Sequence, residues 1–130
     1  MDIVMRKQDN PQFLPALKGE VSLRSLMNYK MFIDDERFPI TDDWAIVRSS
    51  DAAIRMIKQN GMPSEISFDH DLGGDDTSIA IVDFIINGLL DKDFEIPIGF
   101  KYSIHSQNPI GSINIKSKMD NIIRFIDDGK

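Results

Sequence analysis

Two histidines are the chain's entire supply of imidazole, and each follows an apolar run and sits among acids or hydroxyls. His70 lies in Asp69-His70-Asp71, after Ile66-Ser67-Phe68, and His105 opens His105-Ser106-Gln107-Asn108-Pro109, after Tyr102-Ser103-Ile104. A third apolar run, Met31-Phe32-Ile33, ends in Asp34-Asp35. A neutral imidazole can take a proton from water, and a protonated one can give a proton to a leaving oxygen, so a pair suits cleavage of a phosphodiester. Asp69 or Asp71 would orient one ring as a carboxylate does in a catalytic triad. Asp34, Asp35, Asp69 and Asp71 cannot all ionise side by side cheaply, because like charges raise each other's pKa. A divalent cation on Asp34, Asp35 and Asp69, with Asp71 as a further ligand or just outside, would relieve that repulsion. Oxygen ligands suit Mg²⁺ or Mn²⁺, and a histidine among them would favour Mn²⁺ or Zn²⁺. A calcium loop starting at Asp69 is rejected, because its twelfth position is Ala80 where a bidentate Glu is needed.

Anion binding has its own candidates. Asn108-Pro109-Ile110-Gly111 reads as a cap followed by proline at the first helical position, and free N–H groups at a helix start favour phosphate. Gly111 would allow close approach of a ligand. Ser106, Asn108 and Asn114 can donate hydrogen bonds, and Arg37 can clamp two phosphate oxygens. The expected catalytic set is thus His70, His105 and Asp69, with Arg37, Ser106, Asn108, Gly111 and Asn114 binding substrate. Taken singly, each has a plainer meaning: an Asp after a strand caps a turn, a lone His is structural, and Asn-Pro starts a helix. The functional reading rests on their convergence.

Convergence needs a particular fold. Met31–Asp34, Trp44–Arg48, Ile66–Asp69 and part of Pro97–His105 read as strands. Between them, Asp51–Asn60 reads as a helix capped by Ser49 or Ser50 and stopped at Gly61, and a long apolar helix runs from a cap at Asp76 or Thr77 to about Leu90. Arg37-Phe38-Pro39 forbids a long helix directly after the first strand. The last helix carries Ile115, Met119, Ile122 and Ile126 on one stripe. Alternating strands and helices predict an α/β fold: a flavodoxin- or receiver-like three-layer sandwich with a mainly parallel sheet covered on both faces. Right-handed crossovers put all strand C-termini on one edge, and ligands bind there where the strand order reverses. In the flavodoxin-like order that point lies between the strands ending in Asp34-Asp35 and in Asp69-His70-Asp71. Residues 1–30 are less legible. Asp2–Met5 could be a short strand and Val21–Met27 a strand or short helix, in an N-terminal extension of unassigned role ahead of a domain spanning 31–130.

The chain has 130 residues, enough for one domain with one core. It contains no cysteine, which excludes disulfides and thiolate catalysis. No apolar run reaches the ~18 residues needed to span a bilayer, and the N-terminus does not read as a signal peptide, so no membrane partner and a cytoplasmic location are expected. A formal charge of −6 makes non-specific nucleic-acid binding poor, although a local cation can still admit a phosphate ester.

Three segments together carry a resemblance: Phe32-Ile33-Asp34-Asp35-Glu36-Arg37-Phe38-Pro39, Ile66-Ser67-Phe68-Asp69-His70-Asp71-Leu72-Gly73, and His105-Ser106-Gln107-Asn108-Pro109-Ile110-Gly111 with Asn114. In this order, over roughly residues 31–125, the chain resembles the cyclic-phosphate-processing receiver-like domain family. The resemblance implies a receiver-fold derivative acting on 2′,3′-cyclic phosphates of an RNA end or a nucleotide, in RNA repair in bacteria and phages. The location would then be the host cytoplasm if phage-encoded. It carries the acidic pair over to Asp34 and Asp35, the Asp-His-Asp motif to Asp69, His70 and Asp71, and the His-Ser-x-Asn-Pro motif to His105, Ser106, Asn108 and Pro109. Two rivals stay open. In a phosphoacceptor receiver, Asp34 and Asp35 would hold Mg²⁺, Asp69 would be phosphorylated and Ser106 would be the switch hydroxyl, but the lysine ending a fifth strand is missing. A degenerate receiver-like binding module would bind metal without turnover.

Overall fold

The computed structural model describes residues 29–129. The strand considered at Asp2–Met5 and the element at Val21–Met27 lie outside the described residues. The described chain runs β1 (Lys30–Ile33), β2 (Ala45–Val47), α1 (Ser50–Asn60), β3 (Glu65–Phe68), α2 (Ile79–Leu90), β4 (Lys101–Ile104) and α3 (Pro109–Asp128). The four strands form one sheet in the order β2-β1-β3-β4, every neighbouring pair parallel. This is a receiver-like α/β fold of the flavodoxin type, with the reversal of strand order between β1 and β3.

The strands alternate in what they present. Met31, Ile33, Ala45, Val47, Ile66 and Phe68 are buried in a common core with Ala53, Met56 and Ile57 of α1, Ile81, Val82, Ile85 and Leu89 of α2, and Ile115, Met119 and Ile122 of α3. Full burial of each of the larger side chains among these (Val, Leu, Ile, Phe, Met) contributes about 1.5–3 kcal/mol. All three described helices therefore pack on one face of the sheet. The positions of opposite parity are paired in register, Phe32 with Ser67 and Ser67 with Ser103, and they form the other face. No described helix is long and apolar enough to cross a membrane.

Local chemistry sets the boundaries. Ser49 caps α1 by accepting from the Ala52 N–H at 3.1 Å, and Gly61 ends it with φ +81°. The start of α2 follows one of its two expected caps. Thr77 serves it, its hydroxyl accepting from the Ile79 N–H at 3.3 Å, while Asp76 does not and Ser78 makes no side-chain capping bond. Asp76 instead accepts from the Ser50 N–H at 2.9 Å and the Ser50 hydroxyl at 2.5 Å, serving the start of α1. The Ser78 hydroxyl donates to the Asp69 carbonyl and its N–H to the His70 carbonyl at 2.8 Å. Asp76 thus ties the start of α1 to the loop before α2, and Ser78 braces the loop that carries His70. Arg37-Phe38-Pro39 lies in a loop between β1 and β2, as the proline requires.

Candidate active site

The parallel strands deliver the three motifs to one edge. Asp34 follows β1, Asp69 follows β3 and His105 follows β4. Backbone bonds continue the ladder there, from Asp69 N–H to the Ile33 carbonyl at 3.0 Å and from His105 N–H to the Phe68 carbonyl at 2.8 Å. A cavity of about 410 Å³ opens at this edge, lined by Asp34, Asp35, Glu36, Arg37, Asp69, Asp71, Ser106, Gln107 and Asn108.

Asp34 is the hub. It is buried, at 1% exposure, yet both oxygens are used. Oδ1 accepts from the Glu36 and Arg37 N–H groups, each at 2.8 Å, which folds the turn after β1. Oδ2 meets Arg37 Nε and His105 Nε2, each at 3.0 Å. Burial pushes the Asp34 carboxyl up, but the two backbone bonds, His105 and the Arg37 charge outweigh it and leave the pKa below the ordinary value. Arg48 fixes the same turn from the β2 side, donating to the Asp34 carbonyl at 3.0 Å and the Arg37 carbonyl at 2.6 Å.

His105 is held on both nitrogens and on its ring face. Its Nδ1 lies 2.7 Å from Ser67 Oγ, its Nε2 bonds Asp34, and its ring stacks on Phe32 with centroids 4.6 Å apart and planes 4° from parallel. An ionised Asp34 can only accept, so Nε2 carries a proton toward it. His105 therefore belongs to the sheet face made by Phe32 and Ser67. Ser67 and Phe32 are the residues that sequence reasoning passed over. Their signal was a serine inside an otherwise apolar run, in register with an aromatic and two residues before an acid.

His70 belongs to the helical side. Its Nδ1 lies 3.0 Å from Asp71 Oδ1, and Asn108 Nδ2 donates to Asp71 Oδ2 at 3.2 Å. These bonds hold the exposed Asp71 carboxyl below its ordinary pKa, Asn108 first and His70 second. His70 Nε2 has no hydrogen-bond partner among the described residues. The ring rests on Gly111 so closely that an added Cβ would lie 2.3 Å from its Cγ. Gly111 was expected to admit a ligand; its missing side chain instead makes room for this imidazole.

Asn108 caps α3 as its position predicted, with Oδ1 accepting from the Gly111 N–H at 2.9 Å. Because both ends of its amide are engaged, Asn108 positions neighbours more than it offers a free donor. Ser106 Oγ accepts from the Asn108 N–H at 3.0 Å, leaving its own proton for a ligand. Asn114 is exposed, farther along α3, and does not line the cavity.

Among the described residues, the group able to hold a metal ion is Asp34, Asp69 and His105, whose donor atoms all lie within 4.8 Å of one another. Two carboxylates and an imidazole suit Mn²⁺ and accept Mg²⁺. Asp35 lines the cavity but lies outside this trio, with its carboxylate directed at Gly73. Asp71 is likewise outside it, bonded to His70 and Asn108.

The family model of the cyclic-phosphate processing receiver domain matches residues 29–121. The chain belongs to this family. The match spans β1 to most of α3 and includes every site residue described above. Neither a curated protein nor a solved structure matches the chain. Cyclic-phosphate processing receiver domains are thus represented here by a four-stranded parallel sheet whose switch point holds two imidazoles, each bonded to a carboxylate.

Proposed function

We propose that this domain is a phosphoesterase, a hydrolase that opens 2′,3′-cyclic phosphates at an RNA end or in a small nucleotide. The observation that carries this reading is the cavity at the strand ends, where anion-binding groups meet residues bonded to both imidazoles. His70 bonds the cavity residue Asp71, and His105 bonds the cavity residue Asp34.

The reaction consumes one water. His70, held at Nδ1 by Asp71, takes a proton from water at Nε2, and the water oxygen forms a bond to phosphorus. The bond from phosphorus to one ribose oxygen breaks. His105, entering the step as the imidazolium with Nδ1–H on Ser67, gives that oxygen the Nε2 proton it shares with Asp34 and ends neutral. The product is a ribose phosphomonoester with a free neighbouring hydroxyl. Arg37 and the Ser106 hydroxyl hold the phosphoryl oxygens, and Asp69 and Asn108 keep Arg37 and Asp71 in place. Asp34, Asp69 and His105 would be the residues to hold a divalent cation, and such an ion would stabilise the phosphoryl charge in place of Arg37 and the His105 proton, not together with them. Opening a cyclic end prepares an RNA terminus for further repair chemistry, which fits the RNA-repair setting that the resemblance implies.

The test is turnover of an oligoribonucleotide ending in a 2′,3′-cyclic phosphate, with Mg²⁺, with Mn²⁺ and with EDTA. General acid–base catalysis contributes ~10²–10⁴-fold, so His70→Ala and His105→Ala should each lower kcat by at least ~100-fold. Folded variants that both keep near-wild-type turnover would leave the histidines as structural residues and end the proposal.

A further inference from the structure

The acids at the switch point already have a cation, and it belongs to the protein. Asp34 and Asp69 are both buried, at 1% and 8% exposure. Two buried carboxylates facing one space need a compensating positive charge. The Arg37 guanidinium supplies it, with Nε 3.0 Å from Asp34 Oδ2 and Nη2 3.6 Å from Asp69 Oδ2. The same Nη2 donates to the His105 carbonyl at 3.4 Å, so the guanidinium spans the C-terminal ends of β1, β3 and β4. Its backbone is fixed as well. Asp34 Oδ1 holds the Arg37 N–H, and Arg48 holds the Arg37 carbonyl.

Those contacts use the atoms a metal would need. The trio Asp34, Asp69 and His105 has its donors within 4.8 Å of one another, room for one ion. Asp34 Oδ2 is the meeting point of Arg37 Nε and His105 Nε2. A divalent ion seated there must take that oxygen and an oxygen of Asp69, and so must push the guanidinium off both acids.

We infer that Arg37 is the built-in counter-cation of this site, and that it competes with a divalent ion for Asp34 and Asp69. The inference deepens the reading above, because it makes cyclic-phosphate opening independent of metal. It is nonetheless tested without turnover. Arg37 Nη1 has no partner among the described residues and remains for a phosphate oxygen, so one guanidinium balances the acids and meets the anion.

The experiment is calorimetric titration with MnCl₂ of wild type, Arg37→Ala, Arg37→Lys, and Arg37→Ala combined with Asp69→Asn. Removing a charge this close to two carboxylates should tighten Mn²⁺ binding in Arg37→Ala by at least ~10-fold. Arg37→Lys, which keeps the charge, should stay near wild type. Adding Asp69→Asn should erase the gain and so locate the ion. Mn²⁺ should raise the melting temperature of Arg37→Ala and leave that of wild type unmoved. If Arg37→Ala fails to fold, Arg37→Gln serves with the same expected outcomes. Equal Mn²⁺ affinity in wild type and the Arg37 variant would overturn the inference, as would no binding by either. An inactive protein that shows the tightened binding would sink the proposed reaction and leave the role of Arg37 standing.

Discussion

Gly111→Ala separates the chemistry of this site from its stability. Gly111 is in the first turn of α3, and its conformation is helical, so alanine is no strain for the backbone. By helix propensity alone the change stabilises by up to about 1 kcal/mol. The obstacle is the His70 ring. An added Cβ would lie 2.3 Å from His70 Cγ, 2.4 Å from Cδ2 and 2.7 Å from Nδ1, where ordinary contact begins at 3.4 Å. The ring must therefore retreat by about 1 Å, a displacement that can cost ~10²-fold in rate when it misplaces a reacting group. The 3.0 Å bond from His70 Nδ1 to Asp71 would stretch or break with it. Overpacking costs about 1–3 kcal/mol where a core cannot yield, but this ring is at the edge of the core and can move outward. The net change in stability should then stay within about 2 kcal/mol. The assays are thermal melting, the ring resonances of His70 by NMR, and turnover of a cyclic-phosphate-terminated oligoribonucleotide. The expected result is a folded variant with shifted His70 resonances and a kcat ~100-fold lower. Unshifted resonances would refute the packing, and shifted resonances with wild-type turnover would refute a role for His70 in the reaction.

Further outcomes follow from neighbouring contacts. The folded-state pKa of Asp34 is depressed, so its contribution to stability is present above the unfolded value of about 3.9 and is lost as pH falls through the folded value. Asp34→Asn should lose about 1.5–3 kcal/mol near pH 7, the range for hydrogen bonds to charged groups, and its melting temperature should fall less than that of wild type over the acid range. A wild-type-like acid dependence in the variant would count against Asp34 as the hub. Ser67→Ala removes the partner of His105 Nδ1 and should cost about 0.5–1.5 kcal/mol. Its nitrogen-15 spectrum should still show Nε2 protonated, because Asp34 can only accept; a mixture of tautomers would count against Asp34 as the group that fixes the ring. Asn108→Ala should destabilise α3 by about 1 kcal/mol through loss of the cap. Asp71 should then titrate closer to its ordinary value in NMR, because its main hydrogen bond is gone; Asn108→Asp should keep the cap.

Much of the architecture was readable because each strand ends in a polar cluster, and a parallel sheet has no other way to bring such clusters together. The edge used follows from where the polar clusters fall and the stop at Gly61 from local chemistry, whereas the order of strands comes from the flavodoxin-like pattern and agrees with the sheet. What escaped reading depends on contacts distant in sequence. Asp76 reads as a cap for the helix that follows it, yet it bonds Ser50, 26 residues earlier in the chain. Gly111 reads as a place for a ligand, and only the tertiary path of His70 shows that the space is taken. Asp35 and Asp71 read as members of the cation cluster alongside Asp34 and Asp69. The strand alternation turns Asp34, Asp69 and His105 toward one another and leaves Asp35 against Gly73. Sequence separation hides such choices, because spacing constrains neighbours within an element but not the rotation of one loop against another.

The two ends of the Asn108 amide serve different masters. One closes the first turn of α3 through the Gly111 N–H, and the other holds the carboxylate that steadies His70. Fraying of that single turn would therefore release the imidazole, and protection of one amide becomes a gauge of how firmly His70 is held. Under hydrogen exchange, the Gly111 amide should report how often the site disarms itself, and a ligand that seats His70 should slow that exchange without touching the amide at all.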